Sequence, residues 1–244
     1  TYKQFKSEIS GSGSVYCIKQ DNKKNIWFGT TNSGVYYLDP KEKINHLELA
    51  GDYNTAIISK IVEDAMGVLW FATEFGLVKY NHHTLKYYEE KQGLSGNYLT
   101  AIAIDHENNL WIGTTGQGVC IFKNEAFLNF SVMDGLPNKE VTCLYQYKTN
   151  ITFIGTVAGL AYYNGEDIIQ LNTIEQLKNR TIRCITKYAD NIWIGTDYGI
   201  VIITKEESNF KFKKTLETLD GKDLGNIYGL AVGKDGAIWI ATSQ

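Results

Sequence analysis

The chain has 244 residues, of which 13% are aromatic, with 16 Tyr, 23 Gly and only two Pro. Its 24 basic and 27 acidic residues leave a net charge of −3, which excludes a polybasic nucleic-acid-binding surface. No apolar run approaches the roughly 20 residues that cross a bilayer, and four Cys in so long a chain do not make a disulfide scaffold.

In chain order, Tyr2 to Phe5 reads as a lone outer strand. A first full unit follows: an apolar strand, a turn at Asp21 to Asn25, the phrase Trp27-Phe28-Gly29-Thr30, then Gly34 opening the strand Val35-Tyr36-Tyr37-Leu38. Asp and Asn bond their own backbone in such turns, and Gly or Asn accepts positive φ. The second unit repeats this with Asp64 to Gly67, Trp70-Phe71-Ala72-Thr73, Gly76, Leu77-Val78-Lys79-Tyr80 and a weaker fourth strand at Leu85 to Tyr88. The third has Asp105 to Asn109, Trp111-Ile112-Gly113-Thr114, Gly118, Val119-Cys120-Ile121-Phe122 and Phe127 to Phe130. The fourth has Phe153-Ile154-Gly155-Thr156 and Leu160-Ala161-Tyr162-Tyr163, followed by a short predicted helix at Ile174 to Lys178. The fifth has Trp193-Ile194-Gly195-Thr196 and Ile200-Val201-Ile202-Ile203; the sixth stops after Trp239-Ile240-Ala241-Thr242.

The aromatic that begins each phrase recurs at spacings of 43, 41, 42, 40 and 46 residues. A helical repeat of this length would show a 3.6-residue apolar period and few Gly-Thr breaks, and this one does not. The fold class is therefore all-β: a β-propeller of four-stranded antiparallel blades, with about six repeats present and strands a to d in each blade. The expected organisation is a single propeller domain over 1–244, the N-terminal part of a seven-bladed ring with its last blade incomplete. The competing reading closes six blades, with Tyr2 to Phe5 completing the last one.

In such a blade the a–b and c–d turns fall on one face and the b–c and d–a loops on the other. The b–c loops offer Asn32, Glu74, Phe75, Gln117, Asp197 and Tyr198; the d–a loops offer Tyr53, Asn54, Asn97, Tyr98, Asn138, Arg180 and Asn226. Rings that cover apolar sugar faces, beside amides and carboxylates that orient hydroxyls, suit a polyhydroxylated ligand. The candidate ligand residues are Asn32, Glu74, Phe75, Tyr98, Gln117, Asn138, Arg180, Asp197 and Tyr198. The repeated Trp27, Trp70, Trp111, Trp193 and Trp239 are read as inter-blade packing. Cys17, Cys143 and Cys184 share one inner-strand position with Lys60, Ala101 and Gly229, so they read as small core residues and free thiols, as does Cys120.

No Cys/His pair has zinc spacing and no Gly-rich phosphate loop is present, so neither a metal nor a cofactor is expected. His82, His83 and His106 fall on turns opposite the candidate ligand face and His46 in a d strand, so no catalytic residue is assigned and no enzyme is expected.

The repeat resembles that of the two-component regulator propeller family, Asp-x-x-Gly-x-x-Trp-x-Gly-Thr-x-x-Gly-Leu. Asp105 to Val119 follows the pattern; the second and sixth units put Ala72 and Ala241 at its first Gly, and the fourth puts Phe153 at its Trp. The resemblance implies the periplasmic sensor part of a bacterial hybrid two-component system, many of which respond to oligosaccharides. It implies as partners an oligosaccharide or small solute, the downstream domains of the same receptor and a homodimer. Similar propellers in secretion systems make a docking module that binds protein partners the second reading, and a lyase-type propeller the third.

Overall fold

The computed structural model describes residues 13–207 and 209–243. Blade one is β1 (Val15–Gln20), β2 (Ile26–Thr30), β3 (Val35–Leu38) and β4 (Ile44–Leu47). Blade two is β5 (Ile58–Glu63), β6 (Leu69–Thr73), β7 (Leu77–Tyr80) and β8 (Leu85–Tyr88). Blade three is β9 (Leu99–Ile104), β10 (Leu110–Thr114), β11 (Val119–Lys123) and β12 (Ala126–Phe130). Blade four is β13 (Val141–Lys148), β14 (Ile151–Thr156), β15 (Gly159–Tyr163) and β16 (Ile168–Gln170). Blade five is β17 (Ile182–Tyr188), β18 (Asn191–Thr196), β19 (Ile200–Glu206) and β20 (Asn209–Leu216). A small hairpin, β21 (Thr218–Leu219) with β22 (Lys222–Asp223), precedes β23 (Ile227–Val232) and β24 (Ile238–Thr242), which pair as strands a and b of blade six. Each complete blade is an antiparallel sheet in chain order, and strands a of successive blades lie side by side around one axis.

The sequence reading thus finds every blade. It misses β21 and β22, which with the long β19–β20 hairpin account for the 46-residue spacing. The segment Ile174 to Lys178 forms only a 3-10 turn at Glu175–Leu177. The expected strand at Tyr2 to Phe5 lies outside the described residues.

Side-chain chemistry explains the spacing from Asp to Trp. In blades one to three, one carboxylate oxygen of Asp21, Asp64 or Asp105 accepts the amide four residues on, at 2.8, 3.0 and 2.8 Å. The other accepts the indole Nε1–H of Trp27, Trp70 or Trp111 at 2.8, 3.0 and 3.0 Å. One residue therefore closes the a–b turn and satisfies a buried donor. Burial opposes ionisation of Asp21, but hydrogen bonds from Trp27, Asn25 and the Lys23 amide outweigh it and hold this carboxyl below the usual Asp range. Blade four has Phe153, which needs no acceptor, and its turn has shrunk to Thr149-Asn150 without an Asp.

The Trp row corrects one expectation. Trp27, Trp70 and Trp111 are buried against the following blade, with Trp27 5.8 Å from Phe71, Trp70 5.5 Å from Phe122 and Trp111 5.1 Å from Tyr163. Trp193 is only half-buried, with its Nε1 unpartnered, and Trp239 is 67% exposed. Each ring buries itself on the next blade, and no described blade follows blade six. At the other end Tyr16 and Ile18 of β1 are each 64% exposed. Among the described residues no blade packs on these two faces, and β24 pairs only with β23. Exposed faces of this kind drive association. Light scattering should find the 244-residue chain self-associated at micromolar concentration, and Ile18→Lys with Trp239→Lys should return it toward monomer. A monodisperse, unsubstituted monomer would overturn this.

Cys17, Cys120, Cys143 and Cys184 are free thiols. The three inner-strand Cys stand opposite Gly in the register: Cys17 with Gly29, Cys143 with Gly155, Cys184 with Gly195. Burial, first among the causes, pushes Cys143 up to about 12 and Cys17 and Cys184 up to about 11.

Candidate ligand face

The Gly-Thr-x-x-Gly phrase builds this face. The buried hydroxyls of Thr30, Thr73, Thr114, Thr156 and Thr196 donate across each b–c loop to the carbonyls of Gly34, Gly76, Gly118, Gly159 and Gly199, at 2.8 to 2.9 Å. The same oxygens accept the amides of Ser33, Phe75, Gln117, Ala158 and Tyr198. The loop tips are thereby fixed by strand-borne groups. Backbone bonds then join each b–c loop to the d–a loop beside it, as in Thr115 N–H to Tyr98 O at 3.1 Å and Asp197 N–H to Thr181 O at 3.1 Å. In blade two Glu74 makes that link with its side chain, accepting the Ile57 amide at 3.1 Å.

An opening of about 620 Å³ lies on this face in blade two, between Ala50–Tyr53, Glu74, Phe75, Tyr87, Glu89 and Asn97. Tyr53 is its floor: the ring is 4.8 Å from Tyr87 and 5.9 Å from Phe75, and the hydroxyl donates to Phe75 O at 2.8 Å. Burial first, then the carboxylate of Glu89 3.3 Å away, push the Tyr53 hydroxyl well above its ordinary pKa, so it remains a neutral donor. Glu89 is held below the usual carboxylate range, chiefly by Lys91 at 2.9 Å. A smaller recess of about 210 Å³ adjoins through Asn97 and is lined by Tyr98, Thr114 and Gln117.

Of the nine candidates, Glu74 and Phe75 line the first opening and Tyr98 and Gln117 the second. Arg180, Asp197 and Tyr198 meet in blade five, where the guanidinium lies 5.0 Å over the Tyr198 ring and 3.9 Å from Asp197. Asn138 accepts the Glu140 amide at 2.9 Å and so serves its own turn. Asn32 stands apart in blade one, in contact with Ser33. The sequence reading missed Tyr87 and Glu89. They sit at the end of a d strand and just beyond it, and a search confined to loops passes over strand ends. His46 packs on Tyr36 and His82 contacts Gly67 O at 3.0 Å, both away from these openings.

Residues 10–32 and 93–116 match the family described as two component regulator propeller. No curated protein matches it. Among solved structures, the extracellular domain of a protein described as a hybrid two component system from B. thetaiotaomicron superposes with a TM-score of 0.80 at 23% identity, over 94% of this chain and 32% of that one. PorZ, a bacterial surface component of the type-IX secretion system of Porphyromonas gingivalis, gives 0.73 at 15% identity, over 98% and 39%. Virginiamycin B lyase from Staphylococcus aureus gives 0.73 at 14% identity, over 96% and 79%. At these identities the likeness is one of fold. The chain spans about a third of the length of the first of these structures.

Proposed function

We propose that these repeats form the extracellular or periplasmic ligand-recognising module of a two-component receptor. The module binds a carbohydrate-like solute on the b–c and d–a face, without chemistry, and passes the event to other domains of the same protein. One observation carries this reading: three rings, Tyr53, Phe75 and Tyr87, converge with Glu74, Glu89 and Asn97 on one opening. Apolar walls with a few fixed polar groups are what a pyranose ring and its hydroxyls need. The hybrid two component neighbour supports the setting. A docking module is the second reading, favoured by the PorZ likeness and by exposed Phe75, Tyr98 and Tyr198 on the same face.

A thermal-shift screen of oligosaccharides against the chain, followed by calorimetry, tests this. Phe75→Ala should weaken binding of a hit about tenfold or more while moving the melting temperature little, and the double substitution Asp197→Ala with Tyr198→Ala tests a ligand held in blade five instead. Unaltered affinity in both variants would remove the sugar site from this face. Capture of a protein partner through the same rings would favour docking.

A further inference from the structure

Each inner strand carries a β-bulge at the same step, and a bulge re-aims its residue. The bulge residues are Tyr16, Ser59, Thr100, Thr142, Arg183 and Tyr228. In blades two to four this residue's hydroxyl ties one inner strand to the next: Ser59 to Leu99 O at 2.7 Å, Thr100 to Val141 O at 2.5 Å, and Thr142 to Ile182 O. Blade five breaks the chain of hydroxyls. Arg183 stands there instead, its guanidinium 5.2 Å over the ring of Tyr228 and its Nε buried without a hydrogen-bond partner.

One residue past the bulge in blade two is Lys60. It is exposed although blades one and three pack on its own blade. Its charge reaches the thiols of Cys17 in blade one and Cys143 in blade four. Among the described residues neither Lys60 nor Arg183 belongs to an ion pair. Lys148 and Lys187 of the inner strands lie over the Tyr147 ring, which leaves Lys19, Lys60 and Arg183 against Glu63 there.

We propose that the central channel is an oxyanion site, in which Arg183 and Lys60 receive a carboxylate, sulfate or phosphate group. A channel of one sign with low-dielectric walls concentrates its potential on an entering ion. Tyr228 backs the face of the guanidinium, and the N–H edge of a guanidinium can hold two oxygens of one anion. A ligand oxygen would also satisfy the buried Nε–H, which otherwise costs folding free energy. The site is separate from the Tyr53 opening and does not depend on sugar recognition there.

Calorimetric titration of the chain with inorganic sulfate, at ionic strength matched with chloride, tests the site. Binding should saturate, and Arg183→Gln and Lys60→Gln should each weaken it about tenfold. Phe75→Ala should leave it unchanged, which separates this site from the outer face. Arg183→Gln could fail to fold because Arg183 is half-buried; Lys60→Gln, at an exposed position, then decides alone. Glucuronate and inorganic phosphate, titrated in the same way, distinguish a carboxylated sugar from a free oxyanion, and binding of either supports the site. Equal affinity in both variants, or no saturation with any of the three ions, overturns the inference whatever the oligosaccharide screen gives.

Discussion

Replacing Trp111 with Ala should cost about 3–5 kcal/mol of stability, which for a chain of this size lowers the melting temperature by roughly 10 °C. Trp111 is 1% exposed, packs 5.1 Å from Tyr163 of the next blade and donates its indole N–H to Asp105 at 3.0 Å. Truncation would empty a site that spans two blades and leave Asp105 Oδ2 with Asn109 Nδ2 alone as its donor. The control is internal to the repeat. Trp239 occupies the same motif position but is 67% exposed, so Trp239→Ala should change stability by no more than about 1 kcal/mol. Urea denaturation of both variants measures the contrast. Equal losses would mean that motif position, rather than burial on the next blade, sets the energy.

The second large effect lies in the Gly of the Gly-Thr phrase. A Cβ on Gly155 would stand 2.5 Å from Cys143 Sγ and 2.8 Å from Ile182 Cγ2, so Gly155→Ala overpacks the seam between blades four and five and should cost about 2–3 kcal/mol. The protein itself supplies the rescue. Gly29, Gly113, Gly155 and Gly195 each face a β-branched residue of the next blade: Ile58, Val141, Ile182 and Ile227. In blade two the position is Ala72, and the next blade presents Leu99, whose Cβ carries no second branch. Adding Ile182→Leu to Gly155→Ala should therefore recover about 1 kcal/mol relative to the sum of the two single changes. Additive losses in the four-variant denaturation cycle would refute this account of the Gly.

The same seams show how far the sequence could be read. The recurrence of Trp or Phe with Gly-Thr gave the blades, because a unit that cannot bury its own faces must repeat the residues that bury them on its neighbours. The apolar segments around the Trp phrase and after the repeated Gly located strands a to c, and Asp21, Asp64 and Asp105 located the turns. The b–c loop tips Phe75, Gln117 and Tyr198 were legible because each follows its Thr at a fixed interval and is held by that hydroxyl. The extra hairpin β21–β22 was not, since Thr218 to Asp223 belongs to no repeat and nothing local distinguishes it from a loop.

What the sequence by itself determined was therefore periodic: the repeat unit, strand order, turn chemistry and the face on which each loop falls. Those follow from short-range hydrogen bonds and from the apolar segments of each unit, both written within about forty residues. Only the tertiary structure decided what depends on a neighbouring blade. It buried Trp111 and left Trp239 in water. It drew Tyr87 and Glu89 beside Phe75, which none of their own spacings foretold. It also broke the row of inner hydroxyls at Arg183 and set that cation on Tyr228. Burial and charge pairing are set by residues about one repeat away, and only the packing of blade on blade makes those residues neighbours.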